Sequence, residues 1–316
     1  MRYLIVFLLI AFSLVAAIPS IATPWTPYYF TNDSQGHCYD YRINIDDRIR
    51  YCDKALTSRM LTYPQGLATV EEMGALYTDK YDYKNAIVMF TAGLHVAKHD
   101  DIARFYLDRG DTYLYFGELD LAKADFLAAF QKQGDPGGLA GLAAIEARLG
   151  LFDKAVADYK RAEQLQPSNP YFVSALAATY AQMGNYDASM KEIQSLISVY
   201  YYTFAYNNRC WFRAVANRDL AAGLADCNHA LDQIPSVPEY LDSRGFIYFR
   251  LGQWKKSIAD YNAVLAINPY NAGAIYMRGI AEIRDGQSTE GHADIVRASV
   301  IFPDIGANFA SYGVTP

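Results

Sequence analysis

The sequence predicts an all-α fold, a solenoid of about seven stacked helix hairpins with a capping helix at each end. The first observation is a period of 34 residues, seen in the pairs Gly245 and Gly279, Gly252 and Gly286, and Pro269 and Pro303. The second is a small residue that recurs every 33 to 36 residues, at Ala86, Ala122, Ala155, Ser189, Gly223, Ser257 and Gly291. One hairpin cannot bury its apolar face, so several must stack.

Each repeat reads as two helices joined by a tight turn. In the stretch YLDSRGFIYFRLGQW (240–254), one helical face carries Leu241, Gly245, Tyr248 and Leu251. Gly252 ends this helix, as a left-handed C-terminal position requires. The second helix carries an apolar stripe at Ser257, Tyr261, Val264 and Leu265, and Pro269 stops it. The small residues let the two helices approach closely.

Composition limits the possible functions. The chain has 316 residues, is 52% hydrophobic and carries a net charge of −6 without any basic run. Nucleic acid is therefore not an expected partner, since phosphate binding needs clustered Lys and Arg. Neither G-x-S-x-G nor H-E-x-x-H occurs in the sequence. We expect no enzyme activity, no metal and no cofactor.

The first 22 residues predict export. Arg2 precedes an apolar run from Tyr3 to Ile18, and small residues follow up to Ala22. This is the pattern of a secretory signal peptide, cleaved after Ala22 or, alternatively, after Ala17. An uncleaved anchor is the rival interpretation, although the run is shorter than the roughly 20 residues that span a bilayer. We expect a periplasmic or secreted protein that is not transmembrane after cleavage.

The repeats define the expected domains. An N-terminal segment (23–66) contains a capping helix over Asp46 to Met60, and a closing helix in the tail (306–316) covers the last apolar face. Between them lies the solenoid (67–305), whose repeats start near Leu67, Ala103, Pro136, Pro170, Phe204, Pro238 and Ala272.

This pattern resembles the tetratricopeptide repeat over Leu67 to about Ile305. The stretches NNRCW, ADC and IFPDIGANFASYG are similar to a group of exported bacterial proteins of that family. The resemblance implies a right-handed superhelix whose first helices line a concave groove for an extended peptide or a helix. The fifth repeat departs from the pattern, because Trp211 stands at a small position and Arg218 replaces the inter-helix glycine.

Four cysteines allow three disulfide connectivities, and their spacing alone does not choose among them. By repeat register, Cys210 and Cys227 lie on facing positions of one antiparallel hairpin, which predicts a disulfide across the fifth repeat. Cys38 and Cys52 would then tie the N-terminal segment to its capping helix. Two buried free thiols are the alternative for the first pair.

An arginine precedes the small residue of the first helix in three repeats, and an aspartate follows it 16 positions later. The pairs are Arg109 with Asp125, Arg244 with Asp260, and Arg278 with Asp294. We interpret them as ion pairs within each hairpin. The alternative is an arginine ladder open to acidic ligands.

The resemblance also implies groove positions. By register these are Asn208, Phe212, Asp242, Phe246, Phe249, Tyr276, Ile280 and Ile283, while small residues line the middle repeats at Ala140, Ala144, Ala147, Ala178 and Ala181. The alternative interpretation is that these side chains only pack against neighbouring repeats. We expect a non-enzymatic exported adaptor that binds a protein or peptide. The alternative is an accessory protein in envelope assembly or polysaccharide export, with a glycan ligand.

Overall fold

The computed structural model describes residues 33–58, 60–167, 169–200 and 203–316. The expected signal segment (1–22) lies outside them. In these ranges the chain forms seventeen helices and no strand, which confirms the all-α prediction. No helix of the described ranges combines the length and apolar character that crossing a membrane requires.

The chain divides into two compact units. Within the described residues, the N-terminal unit comprises 33–146 and 157–167, and the C-terminal unit comprises 147–156 and 169–316. Both are built from consecutive antiparallel hairpins. The boundary falls within the third hairpin of the repeat series.

The N-terminal unit begins with a disulfide-linked helix pair and continues with repeat hairpins. Its helices are α1 (Asp33–Cys38), α2 (Ile45–Thr57), α3 (Tyr63–Asp79), α4 (Tyr83–Val96), α5 (His99–Phe116) and α6 (Leu119–Gln133). The third hairpin, divided between the units, consists of α7 (Pro136–Arg148) and α8 (Phe152–Leu165).

The C-terminal unit contains four complete hairpins and a final short helix. Its helices are α9 (Pro170–Gln182), α10 (Tyr186–Tyr200), α11 (Thr203–Ala216), α12 (Leu220–Gln233), α13 (Pro238–Arg250), α14 (Trp254–Ile267), α15 (Ala272–Arg284), α16 (Ser288–Ile301) and α17 (Ile305–Ser311). We number the hairpins by the seven repeats, so hairpins 5, 6 and 7 are α11–α12, α13–α14 and α15–α16.

Helix ends follow local chemistry. The side chain of Asn271 accepts a hydrogen bond from the backbone of Ala274 at 2.9 Å and caps the start of α15. At the other end of the first helices, glycines with left-handed φ stop five of them, at Gly117, Gly150, Gly184, Gly252 and Gly286.

A small residue on the first helix faces an aromatic ring on the second helix of the same hairpin. A Cβ atom added to Gly110 would lie 2.7 Å from the ring of Phe126, and one added to Gly245 would lie 3.1 Å from that of Tyr261. The glycine is therefore required by the close approach of the ring, and the buried ring fills the space between the helices.

The turn between the two helices of hairpin 5 is one residue longer than the turn of hairpin 6. Asn217 takes the left-handed conformation (φ 51°) and donates to Ala214 O at 3.2 Å, as Gly252 donates to Phe249 O. Asp219, also left-handed at φ 50°, then precedes α12, so Arg218 is an extra residue. The expectation that Arg218 replaces the inter-helix glycine is wrong, because Asn tolerates this conformation and takes the place one position earlier.

The longer turn shifts the first helix of hairpin 5 by one position in the register. Cys210, rather than Trp211, becomes the equivalent of Gly245, and Cys227 remains the equivalent of Tyr261. The disulfide thus occupies the space that a glycine and an aromatic ring fill elsewhere. Trp211 becomes the equivalent of Phe246, and the two rings lie 5.4 Å apart.

Candidate functional site: the first-helix face of hairpins 5 to 7

The first helices of hairpins 5 to 7 (α11, α13 and α15) present an aromatic surface, which we call the first-helix face. Trp211 and Phe246 lie in contact on it, and Tyr276 comes from the next hairpin. All three side chains are buried. What buries them is the end of the same chain, residues 303–316, which we call the C-terminal segment.

Two aromatic side chains of the C-terminal segment dock on this face. The ring of Phe309 stacks on Tyr276 with centroids 5.3 Å apart and meets Phe246 edge-on at 6.2 Å. The ring of Tyr312 meets Trp211 edge-on at 6.1 Å. The C-terminal segment therefore contacts side chains from three consecutive hairpins, through Phe309 of α17 and through Tyr312, which follows this helix. Aromatic pairs at such distances contribute beyond their buried area.

Two arginines hold the backbone of the C-terminal segment. Arg250 and Arg284 are 34 residues apart and hold equivalent positions at the ends of α13 and α15. Arg250 Nη2 donates to the carbonyl of Tyr312, and Arg284 Nη2 donates to that of Thr315 at 3.2 Å. Burial lowers the pKa of Arg250, whose guanidinium also lies 4.9 Å from the ring of Phe246.

The predicted closing helix thus lies on the first helices as well as against the last hairpin. It packs on α15 and α16 and extends to Trp211 of α11. It leaves the side chain of Val296, on α16, 65% exposed. The residue at the same position of hairpin 6, Asn262, accepts a hydrogen bond from Arg278 of the following hairpin. Covering the last apolar face is therefore only part of what this segment does.

The predicted groove residues are mostly buried. Phe246 and Tyr276 lie beneath Phe309, and Ile280 is fully buried. Phe249 packs on Trp254, with ring centroids 5.2 Å apart. The structure therefore presents these side chains as core and as the floor of a docked segment, in place of an open groove.

The remaining predicted groove residues also turn inward. Asn208 donates to Ser174 of the preceding hairpin at 3.3 Å, and Phe212 is buried one position past Trp211. The register shift in hairpin 5 explains why Trp211 takes the position expected for Phe212. Ile283 lies against Gly291 of its own hairpin.

Asp242 is half-buried near Glu239. Burial, with a smaller contribution from Glu239, raises the pKa of Asp242 to about 7. The side chains of the middle repeats predicted to line the groove are largely buried as well: Ala140, Ala144, Ala147 and Ala178.

Each predicted Arg–Asp pair is brought together with two hydrogen bonds. Arg109 and Asp125 lie at 2.8 Å in both contacts, Arg244 and Asp260 at 2.8 and 2.7 Å, and Arg278 and Asp294 at 2.6 and 3.0 Å. The register shift in hairpin 5 hid a fourth pair, Arg209 with Asp226, whose spacing is 17.

The same arginines also reach the preceding hairpin. Arg278 Nη1 donates to Asn262 at 2.7 Å, and Arg244 Nη1 donates to Asn228 at 3.3 Å. Each guanidinium therefore joins its own hairpin to its neighbour. Its nitrogens are occupied by protein acceptors, which favours the packing interpretation over a ladder for acidic ligands.

The structure joins the four cysteines in two disulfides, and the one in hairpin 5 is the pair expected from the repeat register. Cys210 and Cys227 are joined with Cα atoms 5.5 Å apart, and Cys38 and Cys52 with Cα atoms 4.9 Å apart. Each bond links two helices of the same unit. In the described residues, no group of three or more His, Cys, Asp or Glu side chains could hold a metal.

An acidic cluster in the N-terminal unit was missed by sequence reasoning. Asp108 and Asp111 lie on one face of α5, and burial raises the pKa of Asp111 to about 7. Burial, with the nearby charges of Glu71 and Asp111, also raises the pKa of Asp108, while Arg104 opposes this shift. The signal in the sequence was the spacing of three between two aspartates on a helix otherwise rich in aromatic residues.

Comparison with known proteins identifies the repeat. The family model described as "TPR repeat" matches residues 145–184, and that described as "Tetratricopeptide repeat" matches residues 238–271. Cellulose synthase operon protein C of Pseudomonas fluorescens (strain SBW25) is 28% identical over 151 residues, which is 45% of this chain. The match covers 12% of that protein's length.

Solved structures share the fold. A tetratricopeptide repeat protein from Parabacteroides merdae aligns over 79% of this chain and 100% of its own, with a TM-score of 0.54 and 16% identity. Yeast Tom70 aligns over 96% of this chain and 68% of its own, with a TM-score of 0.58 and 9% identity. These likenesses confirm the predicted fold class.

Proposed function

Because the chain is a tetratricopeptide repeat protein, we propose that it is a non-enzymatic scaffold that binds a partner protein or peptide outside the cytoplasm. The partner would contact the first-helix face of hairpins 5 to 7. One observation carries the proposal. This face already holds the C-terminal segment through two aromatic anchors, Phe309 and Tyr312, and through two backbone contacts, as a peptide-binding surface would.

The chemistry of the face fits a binding surface. Trp211, Phe246 and Tyr276 are large rigid anchors of the type that dominates binding energy. Arg250 and Arg284 donate hydrogen bonds to main-chain carbonyls, so the face binds the backbone of a ligand as well as its side chains. Such a combination suits a helix followed by an extended segment.

Two features support action in an exported compartment. All four cysteines are in disulfides, and such bonds persist mainly in oxidising environments. The apolar N-terminal run has the composition of a secretory signal. Together they favour a periplasmic or secreted location.

Photo-crosslinking in the native host tests the proposal. A photoreactive residue replaces Arg284, which contacts Thr315 O of the docked segment, and leaves Arg250 and the aromatic anchors to bind the partner. In a control chain it replaces the exposed Lys255 of α14. We expect a protein adduct at position 284 that position 255 does not give and that excess peptide 302–316 suppresses. Equal labelling at both positions, or no protein adduct in cells where the protein is folded and abundant, would oppose the proposal.

The second candidate is an accessory role in envelope assembly or polysaccharide export, with a glycan ligand. The similarity to cellulose synthase operon protein C favours it, although the match spans a small part of that protein. Specific retention of the folded protein on a polysaccharide column, lost on addition of free glycan, would support this candidate. Passage through the column without delay would exclude that polysaccharide.

A further inference from the structure

We propose that the C-terminal segment is a displaceable ligand of its own first-helix face and closes the binding surface until a partner displaces it. The proposal rests on the function proposed above. It specifies the competing partner as a helical segment that presents two aromatic side chains three residues apart and continues in an extended conformation. This is the form in which Phe309, Tyr312 and Thr315 occupy the face.

The contacts exceed what a cap requires. A cap covers the exposed side of the last hairpin, but Tyr312 reaches Trp211, two hairpins away. Meanwhile Val296, on the last helix of the series, stays 65% exposed. The segment therefore follows the row of first helices along the path that a bound peptide would take.

The backbone contacts repeat with the period of the hairpins. Arg250 and Arg284 occupy the same position in successive hairpins and bind carbonyls three residues apart in the segment, those of Tyr312 and Thr315. Contacts to the main chain do not depend on the side chains of the ligand. A different sequence with the same backbone path would make the same two hydrogen bonds.

One buried polar side chain of the docked segment lacks hydrogen-bond partners. The side chain of Asn308 is 3% exposed, and neither its amide nitrogen nor its oxygen has a hydrogen-bond partner in the described part of the chain. A buried amide without partners opposes docking. Helix α17 has only seven residues, too short to be stable without its contacts. Both features favour a segment that can leave the face.

The test measures whether the face accepts the segment in trans. The probe is a fluorescein-labelled peptide with the sequence of residues 302–316, and its binding to full-length protein is followed by anisotropy. In wild-type protein the tethered segment competes with the probe. The variant Phe309→Ala with Tyr312→Ala weakens the tethered copy only, so we expect it to bind the probe at least ten-fold more tightly than wild type does.

Matched controls define the specificity. The variant Ala307→Ser with Ala310→Ser changes two exposed positions of the same helix and should bind the probe as weakly as wild type. A probe carrying the two alanines of the first variant should not bind. Wild-type protein that binds the probe as tightly as the double-alanine variant would overturn the proposal, as would a cooperatively folded variant that binds none.

A second variant tests the same proposal if the first variant does not fold. Asn308→Leu replaces the unpartnered amide with an apolar side chain of similar size, so it should hold the segment on the face. We expect a severalfold lower yield of the adduct at position 284 and a severalfold slower hydrogen exchange of residues 305–314. Unchanged adduct yield and exchange would contradict the proposal.

The two proposals fail separately. A specific protein adduct at position 284 without any binding of the probe would retain the scaffold function and reject the displaceable segment. Binding of the probe without any cellular partner would retain the displaceable segment and reject the scaffold function.

Discussion

Arg244 and Asp260, on the two helices of hairpin 6, form a two-point ion pair with contacts of 2.8 and 2.7 Å, and the same guanidinium donates to Asn228 of hairpin 5. Asp260 is buried, whereas the side chain of Arg244 is 24% exposed. One arginine thus ties three helices together. The hydrogen bond to Asp260 raises the pKa of Arg244, so this guanidinium stays charged over the accessible pH range.

Removing the aspartate of this pair should destabilise the C-terminal unit. Asp260→Ala leaves the guanidinium of Arg244 without its carboxylate, and we expect a loss of about 2–3 kcal/mol in the free energy of unfolding, since the arginine keeps some contact with water. Urea denaturation measures it. Asp40→Ala, which breaks the exposed pair with Arg42, is the control and should change little. Unchanged stability together with altered partner binding would instead support the arginine-ladder interpretation.

The disulfide of hairpin 5 should stabilise the fold by restricting the conformations of the unfolded chain. Closing a 17-residue separation contributes about 3 kcal/mol in the chain-entropy model, so Cys210→Ala with Cys227→Ala should lower stability by that amount. Thermal melting with and without a reductant measures the effect. The Cys38→Ala with Cys52→Ala variant separates the contribution of the other disulfide. Uptake of four alkyl groups by unreduced, denatured protein would show that neither bond forms.

Substitutions in the turn of hairpin 5 should distinguish the two registers. Asn217 has the left-handed φ, so Asn217→Ala should cost about 1 kcal/mol, as Gly252→Ala should in hairpin 6. Arg218→Gly should not stabilise the protein. If Arg218→Gly stabilises it and Asn217→Ala has no effect, the simple 34-residue register would be correct and the structure of this turn would not.

The stability of the N-terminal unit should fall as the pH rises from about 4 to about 7. Burial raises the pKa of Asp111 from its usual value of 3.8 to about 7, so the folded state binds a proton that the unfolded state has released in that range. Asp108 and Glu71 face the same region and oppose a second negative charge, while Arg104 partly compensates.

Asp111→Asn should remove much of this pH dependence. The neutral amide keeps the shape of the protonated carboxyl, so the variant should gain stability relative to wild type at pH 8 and little at pH 4. Urea midpoints at the two pH values measure this difference. Asp120→Asn, at an exposed position of α6, is the matched control. The same slope in Asp111→Asn and wild type would mean that Asp111 ionises normally.

Much of the fold followed from spacing in the sequence. The period of the small residues indicated paired helices that approach closely, and a glycine at the turn indicated where the first helix ends. Both depend on contacts inside one hairpin, which the sequence repeats. The 34-residue count failed in hairpin 5 because a longer turn carries no obvious mark when Asn217 replaces the usual glycine.

The position of the C-terminal segment could not be predicted from the period. Phe309 and Tyr312 mark an aromatic helix face, but nothing local to them distinguishes a cap on the last hairpin from a segment lying across three. The deciding features are far away in the sequence, in the aromatic side chain of Trp211 and the equivalent positions of Arg250 and Arg284. The predicted groove residues lie on α11, α13 and α15, and two of them, Phe246 and Tyr276, are covered by a segment that the repeat pattern does not describe.

Hydrogen exchange of residues 305–314, measured by mass spectrometry on the full-length protein, is the most direct test of whether the first-helix face holds a peptide segment in solution. We predict protected amides in wild-type protein, including those of Gly313 and Val314, which bond to Ala310 O and Phe309 O. In Phe309→Ala this protection should disappear while α13 and α15 exchange as before. Immediate exchange of residues 305–314 in wild-type protein would contradict the account.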